Sequence, residues 1–362
     1  MGLEAVIVIG AGLAGSSAAA TLSEAGVRVT LLEAHACSGG RARALGAAHG
    51  SASPIPPALG LRGRLGMKRL GRVAARFRAE PDERFDDRSV ADFARLYLGE
   101  RDGARFSRWF ESQWLQPAAE TSRACWRELL AAAQAPPRGL REPTGAEVSL
   151  QAGWPVSRID RKEDGFCVAA VSGASRQADA LILATTADVS AALIAKIADA
   201  AETRLLDAVR YVPVLGFRAR LKRAPALHDD RVAAEGVRAL CRVAIDAGSK
   251  ELLAIASPEV AARQIDAPDA ITGSVFEAAL RAALPDGVCD FDEPELLRFP
   301  RGMPAFEVGH LRRMQILQKI ATAERAAGRR LAYAGDFLHA PTRAGAVRSG
   351  VAAADALLDR RG

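Results

Sequence analysis

The sequence predicts an α/β protein of two domains, and three observations carry that prediction. The run AVIVIGAGLAGSSAAATLSEAGVRVTLLEA, from Ala5 to Ala34, reads as strand, glycine turn, helix, strand and acid. A further strand, loop and helix, LAYAGDFLHAPTRAGAVRSGVAAADALL, occupies residues 331–358. Between them lie an aromatic-bearing helical stretch and a stretch with the alternation of strands. With 362 residues, 49% of them hydrophobic, the chain can bury a substantial core in one large or two intermediate domains.

Val6 to Ile9 is apolar and β-branched throughout, as a strand buried on both faces of a parallel sheet must be. Gly10, Gly12 and Gly15 follow as G-x-G-x-x-G. The first glycine permits the tight turn, the second lets a pyrophosphate approach the backbone, and the third lets the helix pack closely on the strand. Ser16 to Glu24 is expected to be that helix, its N-terminal amides and dipole facing the phosphates. Gly26 ends it, Val27 to Leu32 forms the next strand, and Glu33 stands at its end. A carboxylate there accepts hydrogen bonds from both ribose hydroxyls and repels a 2′-phosphate, so the nucleotide is FAD or NAD rather than NADP.

Ser38-Gly39-Gly40-Arg41-Ala42-Arg43 follows almost at once. Two glycines let this loop press on a cofactor while Arg41 sets a guanidinium on its phosphates. GGRA at this place resembles the second dinucleotide motif of the flavin-containing amine oxidase superfamily, which includes monoamine oxidases, protoporphyrinogen oxidases, carotenoid desaturases and renalase-like enzymes. The resemblance makes the cofactor FAD. Residues 331–358 resemble the C-terminal motif of the same superfamily. It implies that Asp336, after Gly335, contacts the ribityl and pyrophosphate region, and that a helix beginning near Ala346 points its N-terminus at the flavin N1/C2=O edge. Backbone amides there stabilise the charge that hydride transfer to N5 leaves behind. Val156-Ser157-Arg158-Ile159 and the following ADALILATTA resemble the family's strand, hairpin and strand before an ATPA-type turn, with Thr186 in place of proline. In the family the first Val meets the adenine through its backbone, which assigns that role to Val156. Asp179 to Ala184 is expected to be a buried strand, with Asp188 or Ser190 opening the next helix.

The middle of the chain supplies the expected substrate domain. Ser89 and Asp92 form an S-x-x-D capping box, and Phe106, Phe110 and Trp114 recur at i+4 spacing, the pattern of a packed helix face first and of a substrate wall second. DDRSVADFARLYLG resembles the protoporphyrinogen oxidase and desaturase branch. YVPVLGFRARLKRA predicts a strand after Gly216. Where several amine-oxidising relatives carry a lysine near N5, it offers Phe217, Arg218 and Arg220, with Lys222 later. FPRGMPAFEVGHLRRM resembles the family's return to the FAD domain and gives His310 a structural role ahead of a substrate contact. The sequence departs from the family at Ala48-His49-Gly50, where an acid and glycine usually cover the flavin. It departs again at PPRGLREPTGAEVSL, which leaves no room for a long helix.

The expected fold class is therefore α/β: a Rossmann-type FAD-binding domain (1–65, 145–190 and 300–362) with a second mixed α+β substrate domain (66–144 and 191–299). A net charge of +6, carried by scattered arginines, forms no basic block of the kind that grips nucleic acid. Five separated cysteines without a C-x-x-C pair suit reduced thiols in a cytoplasmic protein, and none lies near the C-terminal motif, so the FAD is expected to be non-covalent. Without a signal-like N-terminus or a long apolar run, the protein is expected to be soluble or at most in peripheral contact with a membrane. The reaction expected is hydride transfer from a small hydrophobic substrate to flavin N5, with dioxygen or another electron acceptor; no general base stands out. The alternatives are an amine oxidase or renalase-like oxidase of small metabolites, and a FAD-binding protein without turnover.

Overall fold

The computed structural model describes residues 3–44, 60, 63, 65–66, 68–69, 85–125, 148–222, 231–232, 237–246, 248–284 and 290–359. The chain divides into two compact units. Met1–Gly50, Glu128–Arg210 and Gly309–Gly362 form the first; Ser51–Arg127 and Tyr211–Val308 form the second.

In the first unit, β1 (Ala5–Ile9) leads through the glycine turn to α1 (Leu13–Glu24) and β2 (Arg28–Leu32), and a short helix α2 (Gly40–Ala44) follows. The helix α1 starts three residues ahead of the expected Ser16, because Gly12 already occupies its N-cap position and Gly15 lies inside its first turn. The chain returns as β3 (Val148–Gln151), β4 (Val156–Lys162), β5 (Gly165–Ala170), β6 (Ser175–Ala178) and β7 (Ala180–Leu183). Then come α3 (Ala187–Ile194), α4 (Ala200–Asp207), α5 (His310–Ala326), β8 (Leu331–Tyr333) and α6 (Arg343–Leu357). Strands β8, β7, β1, β2 and β3 lie in that order in one parallel sheet, and β4–β5–β6 make a separate antiparallel sheet.

Central β1 is apolar on both sides because both of its edges are paired and both of its faces are covered. Val6 and Val8 share a core with Ala14, Ala18 and Leu22 of α1 and with Ala353 and Ala354 of α6. These alanines let the two helices approach closely. At Gly350 a Cβ would lie only 2.0 Å from the Ala14 carbonyl oxygen.

The second unit holds a five-stranded sheet ordered 291–304, 211–221, 251–256, 240–246, 231–232, antiparallel throughout. Phe217, Leu252, Val243, Phe276 and Leu280 fill its core with the help of the helix Asp269–Ala283. The helices Val90–Leu98 and Glu100–Trp114 lie in the same unit. The capping box forms as read: the Asp92 amide donates to Ser89 Oγ at 3.0 Å. Phe106, Phe110 and Trp114 are all buried, which places them in packed core.

Several boundaries differ from the expected ones. The strand containing Gly216 begins earlier, at Tyr211. The helix α3 opens at Ala187 with Thr186 at its N-cap position, so Asp188 lies in its first turn and neither Asp188 nor Ser190 starts it. Residues 191–210 belong to the first unit and 300–308 to the second. The first shift follows from Glu202 on α4, whose buried carboxylate meets Arg329 at 2.6 Å and accepts from the Tyr333 hydroxyl at 3.1 Å. Burial, with that carboxylate second, pushes the Tyr333 phenol above its ordinary range. The second follows from the strand Phe291–Pro304, which stays in register with Tyr211 and Val212 to its end. The Ala48-His49-Gly50 turn and most of PPRGLREPTGAEVSL lie outside the described residues. Among the described residues, no helix is long and apolar enough to cross a membrane.

Candidate functional site

The first unit gathers the expected cofactor residues at the C-terminal ends of β1 and β2, the place where open α/β sheets bind ligands. Gly10 has φ +102°, and a Cβ on it would reach 2.7 Å from the Ala184 carbonyl oxygen, so the residue just after β7 closes one side of the turn. A Cβ on Gly15 would lie 1.8 Å from the Gly10 carbonyl oxygen, which fixes helix against turn. Gly12 differs from both: a Cβ there would meet nothing within 4 Å. Packing therefore demands two of the three glycines, and the third borders open space at the start of α1, where amides and dipole favour an anion.

Glu33 is buried at the end of β2. Its Oε2 accepts from the Ala11 amide at 2.8 Å and its Oε1 from the His35 amide at 3.0 Å, so the carboxylate is fixed against the glycine turn. The Gly153 and Trp154 amides donate to the carbonyls of His35 and Glu33 at 2.9 and 2.8 Å. They draw the chain just ahead of β4 to the same end of the sheet, and Val156 opens that strand.

Gly39 donates its amide to the Ala11 carbonyl at 2.8 Å, and a Cβ on Gly40 would lie 3.7 Å from Gly12 Cα. Positive φ at both, +101° and +50°, turns the chain sharply beside the open glycine. Arg41 follows in α2, and its Nη2 reaches both Asp336 oxygens, at 3.1 and 3.0 Å. Asp336 opens a 3₁₀ turn, Asp336–Leu338, directly after Gly335. The helix α6 begins at Arg343, three residues before the expected Ala346, because the Thr342 hydroxyl caps it by accepting from the Gly345 amide at 3.0 Å. Ala346 thus lies one turn inside; its amide donates to the Thr342 carbonyl and its side chain packs on the α1–α6 core. His310 is fully buried and its Nε2 donates to the Phe337 carbonyl at 2.7 Å, a structural placement.

A family model described as FAD dependent oxidoreductase matches residues 5–263. The chain belongs to that family. It is an FAD-dependent oxidoreductase by family and has the fold of several solved oxidases. One of those structures is a protein assigned provisionally as a protoporphyrinogen oxidase from Exiguobacterium sp. 255-15, 13% identical, with all of both chains covered and a TM-score of 0.70. Another is cyclohexylamine oxidase from Brevibacterium oxydans IH-35A, 14% identical over 99% of each chain at 0.67. A third is a putrescine oxidase triple mutant redesigned for cofactor binding, 16% identical over 99% of each chain at 0.74. No curated protein matches the chain.

The residues present suit FAD. An open glycine beside a cation and a helix N-terminus fits a diphosphate, and a buried carboxylate at the next strand end fits a ribose. Three residues the motif reading passed over complete the arrangement. Ala184 limits Gly10, Ser349 accepts the Gly335 amide at 2.8 Å, and Gly350 seats α6 on Ala14. Ala184 ends the expected strand Asp179 to Ala184, whereas the only trace of Ser349 and Gly350 in the sequence is a run of small residues in the last helix.

In the second unit the strand Tyr211–Leu221 buries Phe217 against Phe276, with ring centroids 5.4 Å apart. Arg218 pairs with Glu251 and Glu295, both at 3.1 Å. Exposed Lys222 pairs with Asp290 at 2.9 Å and Asp292 at 3.7 Å, and the Asp290 carboxylate raises its pKa. The Cys241 thiol is pushed up to about 12 by burial and by Glu111, which removes it as a nucleophile.

Proposed function

We propose that this oxidoreductase takes hydride from an activated C–H bond of a small, hydrophobic substrate. The observation that carries the cofactor half of the reading is the contrast among the three glycines. Gly10 and Gly15 are enclosed by backbone, and Gly12 opens to space next to Gly40, the residue before Arg41, which pairs with Asp336. In this reading Glu33 holds the adenosine ribose, Val156 lies by the adenine, and Gly39, Gly40 and Arg41 take the diphosphate. Gly335, Asp336 and the start of α6 near Ala346 serve the ribityl and flavin side. FAD, when bound, supplies the hydride-accepting chemistry. The chain's part is to orient the reactants and keep water out.

An apolar rather than an amine substrate is supported by the strand Tyr211–Leu221. It carries no lysine, and the lysine just beyond it is an exposed partner of two aspartates. Dioxygen or another acceptor then takes up the two electrons. The cytoplasm is the proposed compartment, on the strength of Cys37, Cys125, Cys167 and Cys241, which form no disulfide.

Purified protein tests this directly. FAD absorbance should be retained, and Glu33→Ala should weaken that retention; equal retention would remove Glu33 from the ribose. Anaerobic bleaching by porphyrinogen-like or isoprenoid-like compounds, and not by primary amines, is the expected substrate pattern. Bleaching by amines alone would reverse it, and FAD retained without bleaching by any compound would favour a binding protein without turnover.

A further inference from the structure

Asp336 is held from both sides. The amide before it, Gly335 N–H, donates to the hydroxyl of Ser349 on α6 at 2.8 Å, and this hydroxyl is buried. The carbonyl after it, on Phe337, accepts from His310 Nε2–H at 2.7 Å, and His310, the first residue of α5, is fully buried. The turn between these anchors is tight: the Leu338 amide closes on the Gly335 carbonyl at 3.2 Å, and a Cβ on Gly335 would strike the Phe337 ring at 2.4 Å. From this turn the Asp336 carboxylate reaches another cofactor segment, where it accepts from Arg41 Nη2.

We propose that His310 and Ser349 are positioning residues: they clamp the 3₁₀ turn at two points, so that Asp336 fixes the Arg41 guanidinium for the cofactor diphosphate. The proposal rests on the reading of Arg41 as a phosphate ligand. An arginine side chain loses much rotamer freedom when it engages an anion, and holding it by one terminal nitrogen beforehand removes part of that cost. The clamp is referred to the same frame as the phosphate turn. Ser349 is adjacent to Gly350, which seats α6 on Ala14 of α1, and Gly12 stands at the N-cap position of α1. From Arg41 the path returns through Gly39, whose amide binds the Ala11 carbonyl. Asp336 also offsets the charge of Arg41, so a free turn would leave a carboxylate able to face the phosphates.

The test is the FAD dissociation constant of the apo-protein, read by flavin fluorescence quenching alongside thermal unfolding. Ser349→Ala and His310→Leu each delete one anchor, and each should raise the constant about tenfold, the effect of one lost buried hydrogen bond. His310→Gln keeps an N–H at the Nε2 position and should stay within about twofold of wild type. In an Arg41→Ala background, Ser349→Ala and His310→Leu should each weaken FAD by a clearly smaller factor than beside Arg41, the remainder being the direct contact of Asp336 with the ribityl side. The clamp is overturned if both leave the constant unchanged, or if they cost as much without Arg41 as with it, which would mark a purely structural role. If Arg41→Ala alone leaves FAD and ADP binding intact, it is the phosphate reading of Arg41 that fails, and the clamp fails with it.

Discussion

Gly350 lies against Ala14 so closely that a Cβ on the glycine would come within 2.0 Å of the Ala14 carbonyl oxygen. This contact joins the last helix to the first, and with it the two segments that carry the cofactor motifs. Backbone cannot retreat as a side chain can, so Gly350→Ala should cost about 1–3 kcal/mol by overpacking. Urea unfolding would measure it, and FAD affinity should fall in parallel because α6 also carries Ser349. A variant as stable as wild type would show that the helices sit further apart.

The glycines of the opening turn separate packing from binding. Gly15→Ala places a Cβ 1.8 Å from the Gly10 carbonyl oxygen and should abolish soluble, folded protein. Gly12→Ala meets no atom and should cost only about 0.5–1 kcal/mol, as alanine caps a helix less well than glycine. Its FAD affinity should nevertheless drop by about tenfold or more, since the methyl fills the approach to the helix amides. Normal FAD binding by a folded Gly12→Ala protein would move the diphosphate elsewhere.

The parts of this molecule that a sequence makes legible are those set by local pattern. Val6 to Ile9, the glycine spacing, Glu33 and the Gly335-Asp336 pair are each a short-range arrangement of residue types, and each lies where its pattern put it. The glycine turn could be read because its clashes involve Gly10, five residues from Gly15. The Ser349 and Gly350 contacts could not, because their partners stand 14 and more than 300 positions away and a serine or glycine in an alanine-rich helix looks like any other small residue. The place of residues 191–210 in the first unit is hidden for the same reason. Glu202 reads as a surface acid until Arg329, 127 positions later, is seen to bury it. The helices start earlier than local pattern suggests, at Leu13, Ala187 and Arg343, because Gly12, Thr186 and Thr342 occupy their N-cap positions and such residues are equally common in loops.

Arg298 closes the corner between two helices of the second unit. Its Nη1 donates to the carbonyls of Gln264 and Ile265 at 2.7 and 2.6 Å, and its Nη2 donates to the Ala267 carbonyl, Asp269 Oδ1 and Thr272 Oγ1. The carbonyls that end the helix Pro258–Gln264 are thereby satisfied by one planar fork. A lysine is a single point donor and cannot span this set, so Arg298→Lys should lose about 1–3 kcal/mol, close to the loss from Arg298→Ala. Chemical denaturation of both variants checks this, and near-full rescue by lysine would reduce the fork to a simple charge.

Glu111, on the helix Glu100–Trp114, supplies a pH test with a definite sign. Burial raises its pKa above the ordinary 4.5, and this outweighs the Ala118 amide, which donates to Oε1 at 2.9 Å, and the nearby Arg108 charge; Glu259 adds to the rise. A carboxyl whose folded pKa exceeds its unfolded one binds its proton more tightly in the native state. Its contribution is therefore fully present below the unfolded value and is lost as pH rises through the folded value. Glu111→Gln keeps an oxygen for the Ala118 amide and removes only the charge. The variant should accordingly unfold at higher urea than wild type at neutral pH, and the gap should close as pH falls below about 4.5. Urea midpoints of both proteins across that range decide the matter: a variant less stable than wild type at neutral pH would mean that the ionised carboxylate is favoured in the fold.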